Sequence, residues 1–266
     1  MENHGAAAEG GRILATTFLS LLLPLSFLLL ARLSAARYFS SAATVKDHQI
    51  SFLTSLFLRS DTTLILSFLV IAVAVEALVR GFNGDRPSFK LHKRRRLCVG
   101  WVLIFLMQVC LSLGIHRAAD VAELSGFAVG NLVSPIRVVF VLGLHEMTVF
   151  WRRSVVAPVV DETVIGFSRE GFGWVEEVVL AAGFGNLWWR RLRDEAEALA
   201  VLPWARAELE MDVEAADAVG LVLYYLTVAI GGVRVIKGFS RAAMWISGRR
   251  RWEEKKGVNA AVIIPV

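Results

Sequence analysis

The stretch KLHKRRRLCVGWVLIFLMQVCLSLGIHR, residues 90–117, sets Arg94, Arg95 and Arg96 against nineteen residues that carry no charge, Leu97 to Ile115. A basic run can mark a nucleic-acid surface or the inner rim of a membrane. A nucleic-acid surface needs a soluble basic face with polar and aromatic readers around it. Here the arginines lead straight into apolar sequence. About 17–25 apolar residues, at 1.5 Å of rise each, cross a hydrocarbon core of about 30 Å. The positive-inside rule then puts Lys93, Arg94, Arg95 and Arg96 on the cytosolic side, against anionic lipid headgroups.

Three more runs of the same kind follow. Ile13 to Ala31 is nineteen residues without charge, Thr62 to Val79 is eighteen interrupted only by Glu76, and Ala218 to Val233 is sixteen. Hydrophobic residues make up 56% of the 266 and charged residues 20%, against roughly 45–50% and 25% in soluble chains. The expected fold is all-α: a polytopic helical membrane protein with about 5–6 transmembrane helices. Its first partner is the lipid bilayer, and nucleic acid is excluded as one.

The runs divide the chain. Residues 1–12 read as a short cytoplasmic N-terminus and 13–151 as a four-helix transmembrane region with a basic cytoplasmic loop at 80–96. Residues 152–173 read as a cytoplasmic loop, 174–189 as a short fifth span or re-entrant segment, and 190–217 as a polar amphipathic helix. The last transmembrane helix is expected at 218–236, with a basic C-terminal tail at 237–266. Residues 13–31 read as an uncleaved anchor. A cleaved signal peptide is the alternative, since Ser34, Ala35 and Ala36 offer small residues for cleavage, but the apolar core exceeds the usual length. If 174–189 crosses, the segments on the cytosolic side carry 19 Lys and Arg and the outer ones 9; if it does not, the split is 15 to 13. The six-crossing arrangement obeys the positive-inside rule far better.

Polar residues inside apolar runs are candidate sites. Arg137, with Asn131 and Pro135 before it, falls in the fourth run, where a charge costs at least about 2.5–3.5 kcal/mol unless it faces protein or water. Its expected structural partner is a helix dipole or a carboxylate such as Glu76 or Glu176. Glu76 stands four residues before Arg80, the favourable order for an ion pair along one helix. Arg137, Glu76 and Asn131 together form a candidate intramembrane polar site. Cys98 follows Arg96 by one leucine, a juxtamembrane position suited to palmitoylation; the plainer reading is a small packing residue. Cys110 lies about 18 Å deeper, too far to bond it. Gly126 and Gly130 form a GxxxG, a pattern that lets helices approach closely. His145-Glu146 begins an HExxH, but position 149 is Val, so the second metal ligand is missing. No catalytic, cofactor-binding or metal-binding set is therefore expected.

Three pieces occur together: Asp161-Glu162-Thr163 with Gly166-Phe167, NLWWRRLR at 186–193, and YYLTVAIGGVRVIKG at 224–238. In these the chain resembles a group of plant multi-pass transmembrane proteins with no assigned function. The resemblance implies membrane residence and carries over no functional residue; the expected location is the plasma membrane or an endomembrane, and the sequence names no organelle. The expected function is that of a non-enzymatic interaction or scaffold protein, with membrane or cytosolic protein partners. The alternative is a small transporter or channel using the polar residues of the fourth span.

Overall fold

Hydroxyl side chains in the apolar helices close back onto their own backbone. Thr17, Ser20, Ser26, Ser67, Thr148 and Thr227 each donate to the carbonyl four residues earlier, at 2.6–2.9 Å. Their polarity is thus satisfied within one helix, and Ser20, Ser26, Thr148 and Thr227 are fully buried, as a non-aqueous setting requires. The outward faces are the reverse. Phe18, Phe68 and Phe105 are 70%, 60% and 66% exposed, far more apolar surface than a water-facing bundle shows.

The computed structural model describes residues 2–44, 62–83, 93–119, 135–163, 173–196, 199–201 and 215–261. No strand occurs among the described residues. The helices are α1 (Glu2–Thr44), α2 (Thr62–Asn83), α3 (Lys93–Ala119), α4 (Pro135–Trp151), α5 (Ala157–Thr163), α6 (Gly173–Leu187), α7 (Arg193–Glu195) and α8 (Ala215–Ala261). Among the described residues, four stretches are long and apolar enough to cross a membrane: Glu9–Ala36, Thr63–Phe82, Leu97–Ile115 and Asp217–Ser247.

Two wide π turns, Arg152–Val156 and Trp188–Leu192, join α4 to α5 and α6 to α7. The flanking residues keep helical angles, so 135–163 and 173–195 are two unbroken rods. The first π turn sits directly before Pro158, which has no N–H to continue the ladder. Helix therefore persists where a loop was expected at 152–163. It also covers most of the N-terminal segment and the tail to Ala261.

Among the described residues, six rods alternate in direction. Arg12, near the start of α1, meets Asp161 and Glu176; Arg80, near the end of α2, meets Ser154. Gly100 of α3 packs on Val155 and Val159. These contacts define one end of the bundle, the Arg12 end. At the other, Arg32 of α1 pairs with Glu195 of α7, and Ser34 bonds Asp217 of α8. Arg12 and Arg32 are about 30 Å apart along α1, and the rod from Glu176 to Glu195 is pinned beside both. It therefore runs the full length of the bundle, parallel to α1.

The core is built around α1, with Leu23, Phe27 and Leu28–Ala31 buried. Phe27, Tyr224 and Trp188 surround Phe140 at ring-centre distances of 6.1, 4.9 and 6.3 Å. The tightest crossing joins α4 to α8 through two glycines. A Cβ on Gly143 would collide with the carbonyl oxygen of Thr227, and one on Gly231 with that of Val139. Small residues allow such backbone contact between helices. Gly126 and Gly130, the expected packing pair, lie outside the described residues.

A basic cavity and a buried ion network at the Arg12 end

The Arg12 end carries two polar assemblies. The first is an ion network, largely shielded at Arg12, Arg152 and Glu176 and exposed at Asp161, Arg153 and Glu177. Glu176, on the first turn of α6, lies between two guanidiniums. Arg12 Nη2 is 2.6 Å from Oε1, off the line of a hydrogen bond, and Arg152 Nη1 is 3.4 Å from Oε2. Asp161 accepts from Arg12 at 3.1 Å, and Glu177 accepts from Arg152 at 3.3 Å and Arg153 at 3.1 Å. The Arg152 side chain is only 8% exposed and that of Glu176 14%. Among the described residues three cations face three carboxylates, so their charges balance. It explains how α6 begins with two glutamates in an otherwise apolar rod: both are paired across to neighbouring helices.

The second assembly is a cavity of about 950 Å³ between α2, α4, α6 and α8. Five cationic side chains line it: Arg80, Arg153, Arg234, Lys237 and Arg241. His145, Glu146 and Glu177 add the remaining ionisable groups, and Ile230, Val149 and Leu180 add apolar surface. Three of the cations are matched. Arg80 holds Glu76 at 2.8 Å and lies 4.9 Å from the centre of the Phe150 ring. Arg153 holds Glu177. Arg234 pairs with Glu146 and lies 3.3 Å from His145 Nδ1. Lys237 donates to the Gly81 carbonyl, and among the described residues neither Lys237 nor Arg241 has a carboxylate in ion-pair reach. The spacing 234, 237, 241 puts these three side chains on one face of α8.

The cavity reaches from Arg153 down to His145, about 12 Å along α4, and stops there. Beyond it lie the Gly143–Gly231 crossing, fully buried Leu144 and Leu223, and the Phe140 aromatic cluster.

The expected site residues are dispersed. Glu76 is exposed and engaged by Arg80 at the cavity edge. Arg137 stands in the first turn of α4, half-buried, roughly 20 Å from Glu76 along the bundle axis. The two are not brought together, and Asn131 lies outside the described residues. Glu176, offered as a partner for Arg137, is held by Arg12 and Arg152 instead. Lys93, Arg94, Arg95 and Arg96 open α3, with side chains outside the described residues. Cys98 is exposed one turn later, and Cys110 is buried. Among the described residues no group of His, Cys, Asp and Glu is arranged to hold a metal. Of the cavity cations of α8, Arg234 falls at the end of the expected last span and Lys237 and Arg241 in the basic tail; their convergence with Arg80 and Arg153 has no local sequence signal.

The stretches behind the plant-family resemblance fall at structurally demanding places. Asp161 joins the network, 186–193 contains the second π turn, 224–238 holds Tyr224, Gly231, Arg234 and Lys237, and Gly166-Phe167 lie outside the described residues. Comparison with protein-family models, with curated proteins and with solved structures finds no match for this chain.

Proposed function

We propose that this chain is a six-crossing integral membrane protein that acts by binding and interaction rather than by turnover. Its working face is the Arg12 end, turned to the cytosol. One observation carries the reading: a cation-rich cavity opens at the end where the start of α1, the end of α2, the start of α3 and the later half of α8 lie together. The six alternating rods agree with the 19-to-9 division of Lys and Arg. The burial of Leu23, Phe27 and Leu28–Ala31 favours an uncleaved anchor at 13–31, because cleavage there would remove the centre of the core.

A transporter or channel is the second reading, and the polar cavity is the feature that favours it. The sealed floor weighs against it, since a conduit needs a path past Phe140 and Leu223. In sealed microsomes, protease from the cytosolic side should remove tags at both termini; loss of only one rules out six crossings. In proteoliposomes, a panel of ions and anionic solutes should move no faster than through empty vesicles. Saturable flux lost in Arg234→Gln would replace the binding reading with the transport one.

A further inference from the structure

The cavity's charge balance defines a ligand. Arg80 is matched by Glu76, Arg153 by Glu177 and Arg234 by Glu146. Among the described residues Lys237 and Arg241 remain without a carboxylate, two positive charges one helical turn apart on the cavity wall. A single carboxylate or phosphodiester brings one negative charge and leaves the excess half-compensated. A phosphomonoester brings about −1.5 to −2 at neutral pH, with three acceptor oxygens. An ammonium and a guanidinium fork are suited to those oxygens as charge-assisted donors.

The surroundings add shape. The cavity is at the upper end of the roughly 300–1,000 Å³ usual for small-molecule sites, more room than a bare phosphate ion needs. Its α6 wall carries Trp174 and Val178, 67% and 57% exposed. Apolar side chains thus stand beside the cationic rim, the arrangement a membrane-anchored headgroup meets where acyl chains give way to charge. Basic pockets between spans on the cytoplasmic side are lipid-headgroup sites on the same physical grounds.

We propose that the cavity binds a phosphomonoester-bearing group, with Lys237 and Arg241 as its principal cationic contacts and Arg80 and Arg234 as flanking ones. The apolar α6 wall favours a lipid as the source. The inference rests on the binding reading above but not on the number of crossings or their sidedness, because nanodiscs expose both ends of the bundle.

The test uses the full chain in phosphatidylcholine nanodiscs, doped with phosphatidic acid or with phosphatidylserine, which has a phosphodiester. Native mass spectrometry counts the lipid retained after ejection. Wild type should retain phosphatidic acid in preference to phosphatidylserine. Lys237→Gln and Arg241→Gln should each weaken retention by about fivefold, with a larger loss in the double variant. Arg190→Gln, an equal loss of charge at the opposite end of the bundle, should leave retention unchanged. Arg241→Gln breaks no ion pair among the described residues, so its fold is expected intact, and an unaltered unfolding curve checks this. Glycerol 3-phosphate assigns the source: failure to displace the lipid supports a headgroup site, and full displacement at equal affinity overturns the lipid source in favour of a soluble phosphate. Equal retention of the two lipids, or retention unaffected by both α8 substitutions, overturns the proposal.

Discussion

The two ends of the bundle handle charge in different ways. At the Arg32 end, α1 is tied by point contacts: Arg32 to Glu195 through two hydrogen bonds of 2.5 and 2.9 Å, and Ser34 to Asp217 at 3.3 Å. At the Arg12 end, six charged groups from α1, the α4–α5 rod and α6 interlock, and five cations line a cavity beside them. A point contact is lost alone. An interlocked set is lost together, because removing its central member leaves like charges facing each other out of water. Among the described residues the Arg12 end is thus both the more strongly cross-linked and the more richly charged, and a binding cavity can sit there without loosening the helices that form it.

The contrast can be broken in stages. Glu176→Gln should be the most damaging change, since it leaves Arg12 and Arg152 without their shared carboxylate. Breaking a buried pair costs about 3–5 kcal/mol, read as a lowered midpoint of denaturant unfolding in detergent. Loss equal to that of a surface pair would mean the network is solvated. Gly143→Leu should come next. The side chain would wedge α4 from α8 below the cavity floor, at about 1–3 kcal/mol for overpacking. Faster hydrogen exchange from Thr227 to Gly231, with Arg32–Glu195 contacts preserved, is the expected signature. Glu195→Gln should cost least, about 1 kcal/mol, because Arg32 and Glu195 are 36% and 25% exposed and partly screened. A cost matching Glu176→Gln would erase the distinction between the ends.

Much of this architecture follows from local pattern. Uncharged runs of membrane-crossing length mark α1, α2, α3 and α8 because a helix in lipid must be apolar along its whole exposed length. The Glu76–Arg80 pair is legible because its members are neighbours on one helix. The α6 rod was ambiguous for a physical reason: only twelve of its residues from Val178 to Trp189 lack charge, and the pairing that lets Glu176 and Glu177 enter the bundle lies on other helices. The Gly143–Gly231 crossing escapes for the same reason. Each glycine is unremarkable in its own helix, and the motif exists only once α4 and α8 are side by side. Arg12 read as a flanking charge; nothing near it in sequence announces partners about 150 and 164 positions away.

Those separations also set an order of events during synthesis. α1 leaves the ribosome well before Asp161, Glu176, Glu195 and Asp217, the partners of Arg12, Arg32 and Ser34. At roughly 5–20 residues per second, the first helix waits on the order of ten seconds before Asp161 and Glu176 exist. During that interval Arg12 and Arg32 lack these carboxylate partners, and the helix that is central in the finished bundle cannot be fully pinned until the later helices are made.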